Sequence, residues 1–125
     1  MGIEIVGIEV EPDYVVLHCR GGFSLPDALE VFEQAYAAAF REDRSGVLIN
    51  ACDVGPPAPS TLERFEIGRF VASRKANGIR VAVLGSHPLI DPGGFGETVA
   101  RNRGGLFRAR VRSEEAVGFL AQKAS

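Results

Sequence analysis

Val47-Leu48-Ile49-Asn50-Ala51-Cys52-Asp53-Val54-Gly55-Pro56-Pro57-Ala58-Pro59-Ser60-Thr61-Leu62-Glu63 runs from an apolar segment through a proline-rich connection to a helix start. Gly46 to Ala51 reads as a short strand. A continuously apolar run suits a central position covered on both faces. Three prolines then stiffen the connection, because each ring fixes φ and removes an N–H donor. Ser60 and Glu63 form Ser-x-x-Glu, a capping box in which each side chain satisfies a backbone amide of the other. A helix is therefore expected from Thr61 to Lys75, ended by Asn77-Gly78. Strand, loop and helix in this order are the first two-thirds of a parallel β-α-β unit.

The flanks extend the pattern. Upstream, Ile3–Val10 and Tyr14–Arg20 are two β-branched runs around a Pro12-Asp13 turn, the mark of a β-hairpin. Ser24 is placed to cap a helix to about Arg41, with Leu25, Leu29, Phe32, Tyr36 and Ala39 at helical spacing and Ala28, Ala35 and Phe40 widening the stripe. Downstream, Ile79–Leu84 is a strand, Gly85–Gly96 a long loop, and Glu97–Asn102 a short helix stopped by Gly104-Gly105. Leu106–Val111 alternates, with Phe107, Ala109 and Val111 inward and arginines outward, as an edge strand would. Ser113 is expected to cap a last helix carrying Ala116, Val117, Leu120 and Ala121. The order β-β-α-β-α-β-α-β-α implies an α/β fold with a mixed, mostly parallel sheet and packed helices. No repeat or linker divides residues 1–125, so a single domain is expected.

Composition limits the partners. A hydrophobic fraction of 46% with 24% charged residues suits a folded globular chain rather than a disordered one. A net charge of −2 argues against general nucleic-acid binding. The acidic excess lies in residues 1–60 and the basic excess in 61–112, and a compact fold would mix them. No run is long enough for a membrane span, and Met1-Gly2-Ile3-Glu4 lacks the basic start and apolar core of a signal peptide. A cytoplasmic location is the resulting expectation. Cys19 and Cys52 have no Cys-x-x-Cys spacing and read as reduced thiols. No His, Cys and carboxylate set has metal-ligand spacing, and no cofactor motif is present.

The element order, with the central strand, loop and helix, resembles the STAS-like family, which includes bacterial anti-sigma-factor antagonists. Members carry a phosphorylatable Ser or Thr where the loop after a central strand enters a helix, typically within Asp-Ser-Ser-Gly. Ser60 and Thr61 stand at the corresponding place, with Pro59 where the family has Asp and Leu62 where it has Gly. The resemblance implies a STAS-like fold and a non-enzymatic regulatory domain. Its partners would be a kinase-like or other regulatory protein, and Ser60 or Thr61 would be the modified residue. Some divergent members look like carriers of small apolar, lipid-like molecules, with a topology similar to CRAL-TRIO domains.

The residues themselves suggest the same two uses. A phosphate on Ser60 or Thr61 would lie at the positive end of a helix, with Arg64 one turn on as its partner. Ligands in open α/β sheets gather beyond the carboxyl ends of the strands. There Asp53, His87 and Asp91 are expected to share a cleft. Phe65, Leu89, Ile90 and Phe95 would line an apolar pocket in the carrier alternative. A His87–Asp91 acid–base pair is the third, enzymatic possibility, although no nucleophile motif accompanies it. Gly93-Gly94-Phe95-Gly96 matches neither phosphate-loop pattern. Arg101, Arg103, Arg108, Arg110 and Arg112 form the densest basic segment, read as a solvated edge. His18 reads as structural. An exposed edge or apolar helix face would permit a homodimer.

Overall fold

The computed structural model describes residues 2–91 and 93–122. A hairpin of β1 (Ile3–Val10) and β2 (Tyr14–Gly22) leads into α1 (Leu25–Arg41). Then follow β3 (Gly46–Gly55), α2 (Thr61–Ser73), β4 (Arg80–Leu84), α3 (Phe95–Asn102), β5 (Phe107–Arg110) and α4 (Ser113–Leu120). The five strands lie in the order β1-β2-β3-β4-β5. Only the β1–β2 pairing is antiparallel; the other three are parallel. The α/β, mixed and mostly parallel fold expected from the sequence is the fold observed. Among the described residues, no helix is long and apolar enough to cross a membrane.

Each parallel connection joins neighbouring strands through one helix, so crossovers of one hand deliver α1, α2 and α3 to the same face. Val15, Leu17, Val47 and Val81 of the sheet are fully buried beneath them. Phe32 of α1 ties the layer together, lying edge-on to Phe107 with ring centroids 5.9 Å apart and 6.4 Å from Phe70. The opposite face is covered by α4, whose Ala116, Phe119 and Leu120 pack on Val16, Leu48 and Ala82. Glu4–Arg20 and Glu9–His18 cross-strand pairs lie on the uncovered β1–β2 part of that face, and Asn50 Nδ2 contacts His18 Nδ1 at 3.1 Å. His18 is thus a structural cross-strand link.

Several boundaries differ from the sequence expectation. β3 continues past Ala51 to Gly55, because Asp53, Val54 and Gly55 pair with Arg20, Gly21 and Gly22. α2 ends at Ser73, and a 3-10 turn over Lys75–Asn77 follows, closed by Gly78 at φ 68°. α3 starts two residues early, at Phe95. Ser113 is the first residue of α4 rather than its cap; its hydroxyl turns to Glu114 and no side chain caps that helix. Val111 lies beyond β5 and is 56% exposed, not inward.

The arginines of β5 are not a free solvated row. Glu97 of α3, only 7% exposed, accepts from the Ala109 N–H at 3.2 Å and from Arg110 Nη1 at 2.5 Å. Arg108 Nε lies 3.5 Å from its other oxygen, and the Arg108 guanidinium stacks 4.7 Å from the Phe119 ring. The carboxylate thereby occupies a strand-edge donor that could otherwise recruit another chain.

α2 and α3 pack backbone to backbone at Gly68. A Cβ there would fall 2.4 Å from the Gly96 carbonyl oxygen and 2.9 Å from Val99 Cβ. Gly68→Ala gains up to about 1 kcal/mol of helix propensity but forces the helices apart, and overpacking costs about 1–3 kcal/mol. The clash with backbone decides the sign, so chemical denaturation of Gly68→Ala should show net destabilisation. A midpoint at or above that of the parent chain would contradict this packing.

Candidate functional site

The core is tight at one end and hollow at the other. Val15, Leu17, Val47 and Val81 occupy the first halves of their strands and are fully buried. Further along the same inward-facing rows come Cys19, Ile49, Ala51, Val54, Val83 and Ala109, and these line a cavity of about 100 Å³. Its roof is Ala28, Val31 and Phe32 from the first turns of α1, with Ile67 of α2. Close-packed interiors seldom hold voids larger than a water. The small side chains Ala28, Ala51 and Ala109 leave space where the flanking elements carry larger ones. The cavity lies toward the carboxyl ends of the parallel strands, where ligands of open α/β sheets collect.

The loop after β4 closes one end. Ile90, 7% exposed, and half-buried Leu89 turn inward and line the cavity with Phe95. Arg64 of α2 holds this loop: Nη1 donates to the Leu89 carbonyl and Nη2 to the Pro88 carbonyl, each at 2.9 Å. Asp91 folds the next turn by accepting from the Gly93 N–H at 3.0 Å and the Phe95 N–H at 3.1 Å. Gly94, at φ 63°, then supplies the left-handed step into α3. The Phe95 and Gly93 amides hold the Asp91 carboxyl below its ordinary range, against some desolvation, and Arg64 and His87 lower it further. The lining groups that reach solvent, among them Arg64, Asp91 and Phe95, cluster here and mark the mouth.

At the other end, Cys19 is the deepest polar group. Its Sγ lies 3.9 Å from the Leu17 carbonyl, and burial pushes the thiol up to about 11, so it is neutral at physiological pH. Cys52 is exposed; partial desolvation, then the charge of Asp53, raise its thiol as well.

The structure separates the residues grouped by sequence. Leu89, Ile90, Asp91, Phe95 and Arg64 do meet at the cavity. Asp53 does not: it is an exposed strand residue, next to but not among the lining groups. His87 is exposed and outside the lining, and among the described residues no hydrogen bond joins it to Asp91, whose oxygens serve backbone amides. Phe65 also lies outside, beneath the Arg103 guanidinium at 5.4 Å. Ser60 performs the expected box, accepting from the Glu63 N–H at 3.1 Å and donating its own N–H to Glu63 Oε1 at 2.8 Å. Arg64 points to the loop carbonyls rather than to Ser60 or Thr61. Thr61 is exposed at the first position of α2.

Sequence reasoning missed the strand-borne walls, Cys19, Ala51, Val83 and Ala109, and the buried Glu97 at the cavity margin. For Cys19, Ala51 and Ala109 the available signal was a small inward residue late in a strand whose earlier inward residue is larger; Val83 carries no such signal. Among the described residues, no group of three His, Cys, Asp or Glu converges as a metal site would. No protein-family model and no curated protein matches the sequence.

The two Arg64 hydrogen bonds should keep the loop closed. Arg64→Ala is expected to accelerate amide exchange at Ile90, Gly94 and Phe95 by roughly tenfold or more, the effect of losing charge-assisted bonds worth ~1.5–3 kcal/mol each. Exchange in β2 and β3 should not change. Unaltered exchange in the loop would remove Arg64 as its clamp.

Proposed function

We propose that this domain binds a small apolar molecule in the cavity beneath α1, α2 and the β4–α3 loop, as a carrier or sensor rather than as an enzyme. The observation that supports this reading is the cavity itself. Close-packed interiors seldom leave an apolar space of about 100 Å³ unfilled by side chains. Three alanines and a loop held by one arginine maintain it, and its mouth lies beside that loop, which is not part of the sheet. The resemblance to STAS-like domains, some of whose divergent members look like carriers, is in keeping with this use.

Native mass spectrometry of the freshly purified chain should show a small-molecule adduct, or uptake of added indole if the site is empty. Ala51→Ile, which fills the cavity, should abolish either while leaving thermal stability equal or higher. A chain with neither adduct nor uptake would overturn the reading.

A regulatory reading remains attached to α2. Thr61 is exposed where the N-terminal amides of α2 favour negative charge. Ser60 is committed to its box, so Thr61 is the better acceptor. Phosphate there would lie one turn from Arg64 and compete with the Pro88 and Leu89 carbonyls for it. Incubation with a cell extract and ATP should then add one phosphate, lost in Thr61→Val but kept in Ser60→Ala. An unmodified intact mass would exclude the switch.

A further inference from the structure

We propose that the cavity takes an uncharged apolar molecule the size of a single ring or a short alkyl group, and that it rejects ionised acids. The inference rests on the reading of the cavity as a binding site and narrows its ligand by charge and size.

Size comes from the volume. The space is about 100 Å³, smaller than an engineered apolar cavity of ~150 Å³ that stays dry and admits benzene. The sheet forms its floor and cannot recede, because Ile49 and Ala51 lie on β3, which is hydrogen-bonded to β2 on one side and to β4 on the other. Extra room must come from the loop side, where Phe23, Pro59, Leu89 and Ile90 line the space, so a ring fits with small movement there and a long acyl chain does not.

Charge comes from the partners already present. Three ionisable side chains with clear charge line the cavity, and each is engaged. Arg64 is held by two carbonyls and faces Asp91. Asp91 accepts from two amides. Glu97 accepts from the Ala109 amide and is paired with Arg110 and Arg108. Among the charged groups that line the cavity, one cation, Arg64, stands against two carboxylates, Asp91 and Glu97, so no surplus positive group in the lining offsets the desolvation of a carboxylate or phosphate head group. Burying an unpaired ion costs more than the apolar contacts of a small skeleton return. The walls beyond are hydrocarbon apart from the neutral Cys19 thiol.

A matched pair of probes tests this. In ¹H–¹⁵N and methyl spectra at pH 7, toluene should shift Ala51, Val83 and Ala109, while benzoate, the same ring with an ionised carboxylate, should bind at least roughly tenfold more weakly. Decanol should bind no tighter than toluene. Benzoate binding as well as toluene would overturn the charge argument, and tighter binding of decanol the size argument; both would leave a binding site standing. Neither probe binding, with an adduct in native mass spectrometry, would overturn the ligand class alone. Neither binding, with no adduct, would overturn the site as well.

Discussion

Three successive parallel connections between neighbouring strands, all of one hand, put three helices on one face of the sheet. Everything else in the structure answers to that constraint. The helices must share the width of four strands, so α2 and α3 approach until only glycine fits at position 68. The opposite face is left to α4, which is short and covers β3 to β5 with Val16 of β2 at its edge. The β1–β2 surface beyond it is polar because nothing covers it: Glu4, Arg20, Glu9 and His18 pair across strands in solvent.

The same constraint aligns the carboxyl ends of β2, β3, β4 and β5 at one end of the molecule, with the first turn of each connecting helix above them. Whatever space the side chains leave collects there. At the opposite end Val15, Leu17, Val47 and Val81 fill the interval between sheet and helices. Cys19, Ala51 and Ala109, each following a larger inward residue on its strand, turn a continuous core into a core with a chamber.

The sequence made legible what is decided locally. The Ser60–Glu63 box, the hairpin and the helical stripe of α1 depend on residues within a few positions of one another, and each appears as read except at Phe40, which leaves the stripe and is 84% exposed. The extension of β3 to Gly55 was not legible, because it depends on Gly21 and Gly22 more than thirty positions away. That one miss moved Asp53 out of the expected cleft and onto the strand. The partners of Arg64 were not legible for a related reason. Its neighbours in sequence suggested Thr61, whereas its partners are carbonyls twenty-four and twenty-five residues on. Loop carbonyls leave no trace in a sequence, since every residue has one.

Charge shows the limit most clearly. The acidic first half and basic second half do not form two faces. Glu33 of α1 pairs with Arg74 at the end of α2, so the halves neutralise each other across the helix layer. Within the basic half, Glu97 is the acid around which Arg108 and Arg110 gather. A carboxylate this buried is tolerated only where counter-charges and a backbone donor meet it. Read along the chain, it is one acid before a run of arginines. Read in space, it fixes α3 against β5, blocks the sheet edge and leaves those arginines committed. The charges that bound the mouth of the cavity therefore already have partners within the fold.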